Sequence, residues 1–444
     1  MRKVLIANRG EIARRIIRTC KAEGIATVAV YSEADQNLPF VREADEAVLI
    51  GPPPVPQSYL NIEVIIAAAQ QTGADAVHPG YGLLSENATF ARRCEEAGLV
   101  FIGPKPDVIA QMGDKVTARQ IMRNAGVPIV PGYEGQMDTA EEAVKVAQEI
   151  GYPVMLKASA GGGGIGMQVC HNDDELRQAF QSAKGRAKAY FGNDTMFLEK
   201  FVENPHHIEV QIVGDTHGNV IHLRERECSI QRRHQKVLEE SPSPFLDEAT
   251  RERICAAAVA AARAVNYTGV GTVEFIMDDR KNFYFLEMNT RLQVEHPVTE
   301  EITGYDLVSL QLAIARGEQL AVQQGDVKAL RHAIELRVYA EDPVTFLPSP
   351  GKIDEYQPPQ MEGVRIDDGV EAGTQVTPFY DPMIAKVIIS GETREAAVQR
   401  AIEAMQAFRL TGIKSNIPFL LEVLQDSDFQ AGVYTTQFVQ NKRK

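Results

Sequence analysis

The chain has 444 residues, of which 44% are hydrophobic and 24% charged, ordinary values for a folded globular protein that exclude a disordered or collagen-like one. Its 60 acidic against 46 basic side chains leave a net charge of −14, which argues against a general binder of nucleic acid or anionic membrane, although local basic clusters can still hold phosphate. At roughly 150 residues per domain the length predicts about three domains.

The opening MRKVLIANRGEIARR has an apolar stretch of only four residues, too short for the core of a signal peptide. From there the first hundred residues alternate strand-like and helical runs: VLIAN, EIARRIIRTCKAEG, ATVAVY, VIIAAAQQTG, DAVHPG, NATFARRCEEAG and LVFIG. That βαβ rhythm predicts an α/β fold with a doubly wound parallel sheet. The first strand runs into Asn8-Arg9-Gly10 and a helix. This resembles a nucleotide-binding turn but lacks G-x-G-x-x-G, so an anion-holding turn and an ordinary one both stay open.

Pro104, Pro106, Pro128 and Pro131 bracket a short helical segment and mark a boundary between domains. Beyond it come helix EEAVKVAQEIG, strand YPVMLKAS, the run AGGGGIGM, strand QVCH and helix ELRQAFQSAKGRAKAYF, ending at MFLEKFVE. Two hairpins follow, IEVQIVGD with VIHLRERE and TVEFIM with FYFLEMN, separated by helix DEATRERICAAAVAAARAV. That helix is broken by Arg263 and falls short of the roughly 20 apolar residues a bilayer span needs. After about residue 330 a strand-rich stretch, HAIELRVYAED through MIAKVIISG, closes with helix REAAVQRAIEAMQAF. Cys20, Cys94, Cys170, Cys228 and Cys255 lie far apart without a C-x-x-C pair, so no disulfide framework or zinc knuckle is expected. The expectation is a reduced, soluble, cytoplasmic protein without membrane or nucleic-acid partners.

Three patterns carry chemistry. In Ala160-Gly161-Gly162-Gly163-Gly164-Ile165-Gly166, with Lys157 just before it, consecutive glycines let the backbone approach an anion while the lysine adds charge. A hairpin flap over a nucleotide and a ligand-free surface loop both fit. In T-V-E-F-I-M and F-L-E-M-N, strand alternation puts Glu274 on a face with Thr272 and Ile276, and Glu287 on a face with Phe285 and Asn289. Paired as a hairpin, two carboxylates and an amide oxygen would offer hard ligands suited to Mg²⁺; a solvated polar face is the alternative. The same parity, continued along an extended segment, aligns Glu287, Asn289, Arg291, Gln293 and Glu295 opposite Met288, Leu292 and Val294. Arg291 would then offer a planar fork to a bicarbonate-like anion, and Glu295 could accept its proton.

The basic run Arg232-Arg233-His234-Gln235-Lys236 concentrates donors for phosphate or bicarbonate, yet reads equally as a solvated face. His206 and His207 are weak evidence for a metal, and Lys115 and Arg337 are single cations on ordinary helix and strand patterns.

Several long strings together resemble biotin carboxylase, of the ATP-grasp superfamily: IANRGEIA, YLNIEVIIAAA, HPGYGLLSEN, FIGP, MGDKVTAR, ECSIQRRHQKVLEE, EMNTRLQVEHPVTE, AEDP with FLPSPGKI, and DPMIAKVI. The resemblance spans residues 1 to about 440. It implies an N-terminal doubly wound pre-ATP-grasp domain at 1–112, an ATP-grasp domain at 113–330 with a glycine-rich lid at about 131–203, and a C-terminal biotin carboxylase domain at 331–444. It also implies that ATP phosphorylates bicarbonate to carboxyphosphate, and that the carboxyl group passes to N1′ of biotin on a separate biotin carboxyl carrier protein.

By matching positions, the resemblance gives Lys115 and Lys157 to the ATP phosphates and Gly163 and Gly164 to the closing lid. Glu199, Lys200 and Val202 would line the adenine pocket, and His207, Gln231 and His234 would reach the ribose and phosphate side. Glu274, Glu287 and Asn289 would ligate Mg²⁺ or Mn²⁺, two ions in all. Lys236, Arg291, Gln293 and Val294 would bind bicarbonate, Val294 through its backbone. Glu295 would deprotonate it, and Arg337 would stabilise the enolate-like biotin oxygen.

The chain departs from the family at Ile165 and Gln168, where basic residues are usual, and at Ala160, usually glycine. Without an A-M-K-M biotinylation segment, the carrier and the carboxyltransferase subunits are expected to be other polypeptides, as in multisubunit acetyl-CoA carboxylase. A homodimer is a further family expectation. The alternative is the biotin carboxylase subunit of a two-chain pyruvate or other acyl-CoA carboxylase, and the lid departures motivate a further reading, a nucleotide-binding regulatory subunit without catalysis.

Overall fold

Strand β1 (Lys3–Ile6) is apolar from Val4 onward, and both faces of its sheet are covered. Val4 and Ile6 enter one core with Ile12, Ile16 and Leu312, while Leu5 enters the opposite core with Val28, Tyr59 and Phe90. In the computed structural model, which describes residues 1–133, 137–158, 167–191 and 194–443, β1 pairs in parallel with β2 (Ala26–Ser32) and β4 (Ala76–His78). With β3 (Glu46–Gly51) and β5 (Val100–Phe101) the order is β3-β2-β1-β4-β5, the expected doubly wound sheet.

The strand order reverses between β1 and β4, where such sheets commonly hold ligands. Here the crevice is filled from within. Asn8 Nδ2 donates to the carbonyls of Pro79 (2.8 Å) and Tyr81 (2.7 Å), tying the turn after β1 to the turn after β4. Gly80 is required there, since its φ is +62° and a Cβ would fall 2.9 Å from Asn8 Nδ2.

The chain divides into two compact units, one formed by Met1–Val127, His206–Phe275 and Glu287–Lys444, the other by Pro128–Pro205 and Ile276–Leu286. In the second, β6 (Gly132–Tyr133), β7 (Val154–Ala158), β8 (Gln168–Cys170) and β9 (Met196–Lys200) form an antiparallel sheet in the order β6-β9-β7-β8. Helix Ala140–Ile150 starts at a reciprocal cap between Thr139 and Glu142. It and helix Asp173–Phe191 cover a core of Val144, Leu156, Phe180 and Leu198. The segment Gly161 to Gly166, with Ala160, Gly163, Gly164 and Ile165, lies outside the described residues. Gln168 is exposed on β8.

The larger unit holds most of an eight-stranded sheet. β10 (His206–Gly214), β11 (Val220–Arg232), β12 (Gln235–Ser241), β13 (Gly269–Met277), β14 (Phe283–Asn289) and β15 (His332–Tyr339) are joined by two later strands. Three short strands, β16 (Gly351–Lys352), β17 (Glu355–Gln357) and β19 (Gln375–Val376), flank β18 (Val364–Asp368); β20 (Met383–Gly391) and β21 (Arg409–Thr411) follow. The sheet order is β14-β13-β10-β11-β12-β15-β20-β18. It therefore runs through the boundary expected near residue 330, because β12 pairs with β15 with Leu238 opposite Leu336 and Glu239 opposite Glu335. One face packs on the apolar core of Ile334, Leu336, Val387 and Phe419. The other is unusually polar and carries the candidate site. No helix among the described residues is long and apolar enough to cross a membrane.

Candidate active site

The basic run at 232–236 resolves into three different environments. Arg233 (φ +50°) and His234 (φ +65°) form the exposed turn between β11 and β12, the left-handed pair a two-residue hairpin requires. Arg232 is buried and ion-paired with Glu341. Lys236 points inward, aided by a register shift that leaves Val237 as an extra residue between Lys236 and Leu238 on β12; such bulges re-aim side chains.

Lys236 Nζ meets three carboxylates: Glu209 at 2.6 Å, Glu295 at 2.6 Å and Glu274 at 2.9 Å. Arg226, fully buried, braces the same group from below. Its guanidinium donates to Glu209 (2.5 Å), Gln211 (2.6 Å), Thr272 (3.1 Å) and Gln293 (2.7 Å). Arg337 Nη2 bridges Glu295 (3.0 Å) and Glu239. Burial pushes Glu274 and Glu295 toward protonation, but the cations win. Lys236 and His207 hold Glu274 below the usual carboxylate range, and Lys236, Arg337 and Arg226 hold Glu295 well below it. Glu239 goes the other way: burial outweighs Arg337, Glu295 repels it, and its pKa rises to about 7.

The expected extended segment from Glu287 to Glu295 does not form. β14 ends at Asn289, and Glu295 is already the residue preceding helix His296–Thr303. The chain turns because its side chains find partners on different elements. Asn289 Nδ2 (2.9 Å) and Gln293 Nε2 (2.7 Å) both donate to Glu274 Oε1. Arg291 instead reaches Glu86 (2.8 Å), whose other oxygen accepts from the Thr290 N–H at 3.0 Å. Leu292 is buried, and the carbonyl of Val294 accepts from Lys386 at 2.8 Å.

The donor set fits a hard divalent cation. Glu274 and Asn289 are in contact, and Glu287 on β14 is raised by partial desolvation of its carboxyl and by repulsion from Glu274 and Glu86, an excess of negative charge that a cation would relieve. Lys115, exposed at the start of helix Lys115–Asn124, already lowers Glu287 slightly. His207 Nε2 lies 2.9 Å from Glu274 Oε2, and its Nδ1 lies 2.9 Å from the Gln231 amide nitrogen. His234 does not join them; it occupies the exposed hairpin turn.

In the smaller unit, Lys157 on β7 is ion-paired with Glu199 on β9 and stands 5.9 Å from the Phe197 ring centre. Lys200 Nζ donates to the carbonyls of Gly151 (2.8 Å) and Tyr152 (2.7 Å), while Val202 is buried.

Comparison with known proteins places the chain in a family. The models of the biotin carboxylase N-terminal and C-terminal domains match residues 1–109 and 335–441, and that of the ATP-binding domain of the carbamoyl-phosphate synthase L chain matches 114–323. The biotin carboxylase of Halalkalibacterium halodurans is 60% identical over 443 residues, covering 100% of this chain and 98% of that protein. The chain belongs to the biotin carboxylase family. The propionyl-CoA carboxylase alpha chain of Ruegeria pomeroyi is 54% identical, matching 98% of this chain and 67% of its own length. A solved biotin carboxylase domain dimer from the 2-oxoglutarate carboxylase of Hydrogenobacter thermophilus, in complex with MgADP, ADP and bicarbonate, superposes with a TM-score of 0.89. It is 48% identical and covers 99% of this chain and 97% of that one.

Within this biotin carboxylase, sequence reasoning missed Glu86, Glu209, Arg226, Glu239, His296 and Lys386, all in contact with expected site residues. Glu209 and Gln211 did leave a signal, two polar residues at alternate positions of the otherwise apolar I-E-V-Q-I-V strand. Arg226 left a misleading one. In R-E-R-E a charged run reads as solvent-facing, yet Glu225, Arg226 and Glu227 are at most 1% exposed.

Proposed function

We propose that this biotin carboxylase performs the first half-reaction of acetyl-CoA carboxylase, carboxylating biotin on a separate carrier protein. Bicarbonate attacks the γ-phosphorus of ATP, ADP leaves and carboxyphosphate forms. The carboxyl carbon then bonds to N1′ of biotin, and phosphate leaves with the N1′ proton. The observation that carries this reading is the meeting of Lys236, Glu295 and Arg337 in one buried web.

In that reading Arg291, Lys236, Gln293 and the Val294 N–H bind bicarbonate. Glu295, kept ionised by Lys236 and Arg337, accepts its proton. Arg337 then stabilises the oxygen of deprotonated biotin. Lys115 and Lys157 hold ATP phosphates, so Lys157 exchanges Glu199 for phosphate oxygens when nucleotide binds. Glu199, Lys200 and Val202 contact adenine, and His207, Gln231 and His234 contact the rest of the nucleotide. Glu274, Glu287 and Asn289 would hold Mg²⁺ or Mn²⁺, which when bound neutralises phosphate charge. Gly163 and Gly164 close over the phosphates.

The test is ADP release by the purified chain with MgATP and bicarbonate, with and without free biotin and with a bicarbonate-depleted control. Biotin-stimulated, bicarbonate-dependent release with carboxybiotin formed supports the reading; ATP binding without stimulation supports a regulatory subunit. The likeness to a propionyl-CoA carboxylase alpha chain favours a second reading, service to a pyruvate or other acyl-CoA carboxylase. Identifying the carboxyltransferase that co-purifies separates the two.

A further inference from the structure

Three consecutive carbonyls at the end of the bicarbonate segment are held from the side of the following helix. The Gln293 carbonyl accepts from His296 Nδ1 at 2.7 Å and from the His296 N–H at 3.3 Å. The Val294 carbonyl accepts from Lys386 Nζ at 2.8 Å, and the Glu295 carbonyl from the Val298 N–H at 3.2 Å. In a trans peptide the C=O and the N–H of the next residue point in opposite directions, and the cis bonds of the described residues lie elsewhere, at Tyr152-Pro153 and Ser241-Pro242. Holding the Gln293 carbonyl toward His296 therefore turns the Val294 N–H away from it. That N–H makes no hydrogen bond among the described residues, a main-chain donor left open immediately before Glu295, whose carboxylate Lys236 holds at 2.6 Å.

Both holding groups are fixed in turn. His296 is fully buried, and an imidazole nitrogen 2.7 Å from a carbonyl oxygen must carry the proton, so the ring is the Nδ1–H tautomer. Burial, with Lys386, Arg15 and Arg365 nearby, keeps it neutral. Lys386, on β20 opposite Arg337, is fully buried and 3.2 Å from Glu11, which in turn accepts from the Tyr81 hydroxyl. The strings GEIA and HPGYG, which no nucleotide or bicarbonate role absorbs, thus reach the site through Lys386.

We infer that His296 and Lys386 are positioning residues that orient two successive peptide planes and so aim the Val294 N–H at bicarbonate. This rests on the proposed assignment of that donor to the anion. Neither residue touches the reacting atoms; each acts through the backbone, much as a preorganised anion hole is set by the peptides that form it.

The test uses the full chain with MgATP, bicarbonate and free biotin, and two variants that separate the donor from ring volume. His296→Phe keeps a ring and loses the donor; its KM for bicarbonate is expected to rise about tenfold, the loss of one oriented bond to a charged group, while its KM for MgATP stays within about twofold. His296→Asn places an amide N–H near the lost Nδ1–H and is expected to restore the bicarbonate KM to within about threefold of the parent. A parent-like bicarbonate KM in His296→Phe, or equal impairment in both variants with MgATP binding intact, overturns the inference. Should His296→Phe lose MgATP binding, Lys386→Met decides by the same readout, a raised bicarbonate KM supporting the inference and an unchanged one overturning it. Arg291→Ala separates the two levels. If it leaves the bicarbonate KM unchanged, the assignment of the site fails and the inference with it; if it raises that KM while the His296 variants do not, only the inference fails.

Discussion

Lys236 and Lys157 are both strand lysines assigned to oxyanions, yet they stand in opposite electrostatic situations. Lys236 is 13% exposed and contacts three carboxylates, each itself backed by another buried group. Lys157 is 25% exposed and, among the described residues, ion-pairs with Glu199. A lysine in the first position cannot be removed without stranding buried negative charge, whereas one in the second can trade its partner for phosphate. On the proposed roles, the contrast separates a prebuilt anion site from an exchangeable one.

The largest effect expected on the prebuilt side is catalytic. Glu295→Gln keeps the shape and removes the proton acceptor, so bicarbonate-dependent ADP release should fall by about 10²–10⁴ while equilibrium ATP binding persists. Normal turnover would remove Glu295 from that role. Next comes stability: Lys236→Met should destabilise the fold by about 3–5 kcal/mol in denaturant unfolding, because Glu209, Glu274 and Glu295 lose their shared cation.

The web should also be visible in its pH dependence. Glu239 has a folded pKa of about 7, raised from 4.5, so between those values the folded state holds a proton that the unfolded chain releases. Its contribution is present below about pH 4.5 and lost as the pH rises through about 7. Its neighbour Glu240, on the other face of β12 against His332 and Arg394, behaves in reverse. Burial opposes ionisation, but those cations hold it at about 2, so its contribution is present above 4.5 and lost as the pH falls toward 2. In Glu239→Gln the stability difference between pH 5 and pH 7.5 should shrink; an unchanged difference would show that Glu239 is not the group responsible.

Smaller effects lie toward the surface. Glu86→Gln loosens Arg291 and Thr290 and should raise the bicarbonate KM about fivefold with little change in melting temperature. Lys157→Met should cost less than about 1 kcal/mol of stability, its loss appearing in the MgATP KM instead. A stability loss equal to that of Lys236→Met would erase the distinction between the two lysines.

Most elements could be read directly from local pattern. The βαβ rhythm became the parallel sheet, and strand alternation correctly put Thr272 and Glu274 on one face, where Arg226 and Lys236 meet them. The same alternation failed past Asn289, because Arg291, Gln293 and Glu295 each follow a partner on a different element. It failed again in R-E-R-E, where counter-charges from distant strands make burial possible and Arg224 takes a left-handed φ of +71°. The basic run at 232–236 held too little information to tell its exposed turn residues from its one inward lysine, since a register shift does not show in composition.

The sequence by itself determined the elements, the family through strings such as HPGYGLLSEN and EMNTRLQVEHPVTE, and the chemical types available to the site. Periodicity and local motifs suffice for that, since they concern residues a few positions apart. Only the tertiary structure decided who meets whom. Lys236 finds Glu295 across 59 positions, Arg337 finds Glu295 across 42, and Lys386 finds the Val294 carbonyl across 92. Those pairings set which carboxylates stay charged and which backbone donor stays open, because the balance between burial and a counter-charge depends on distances that exist only once the sheet has formed.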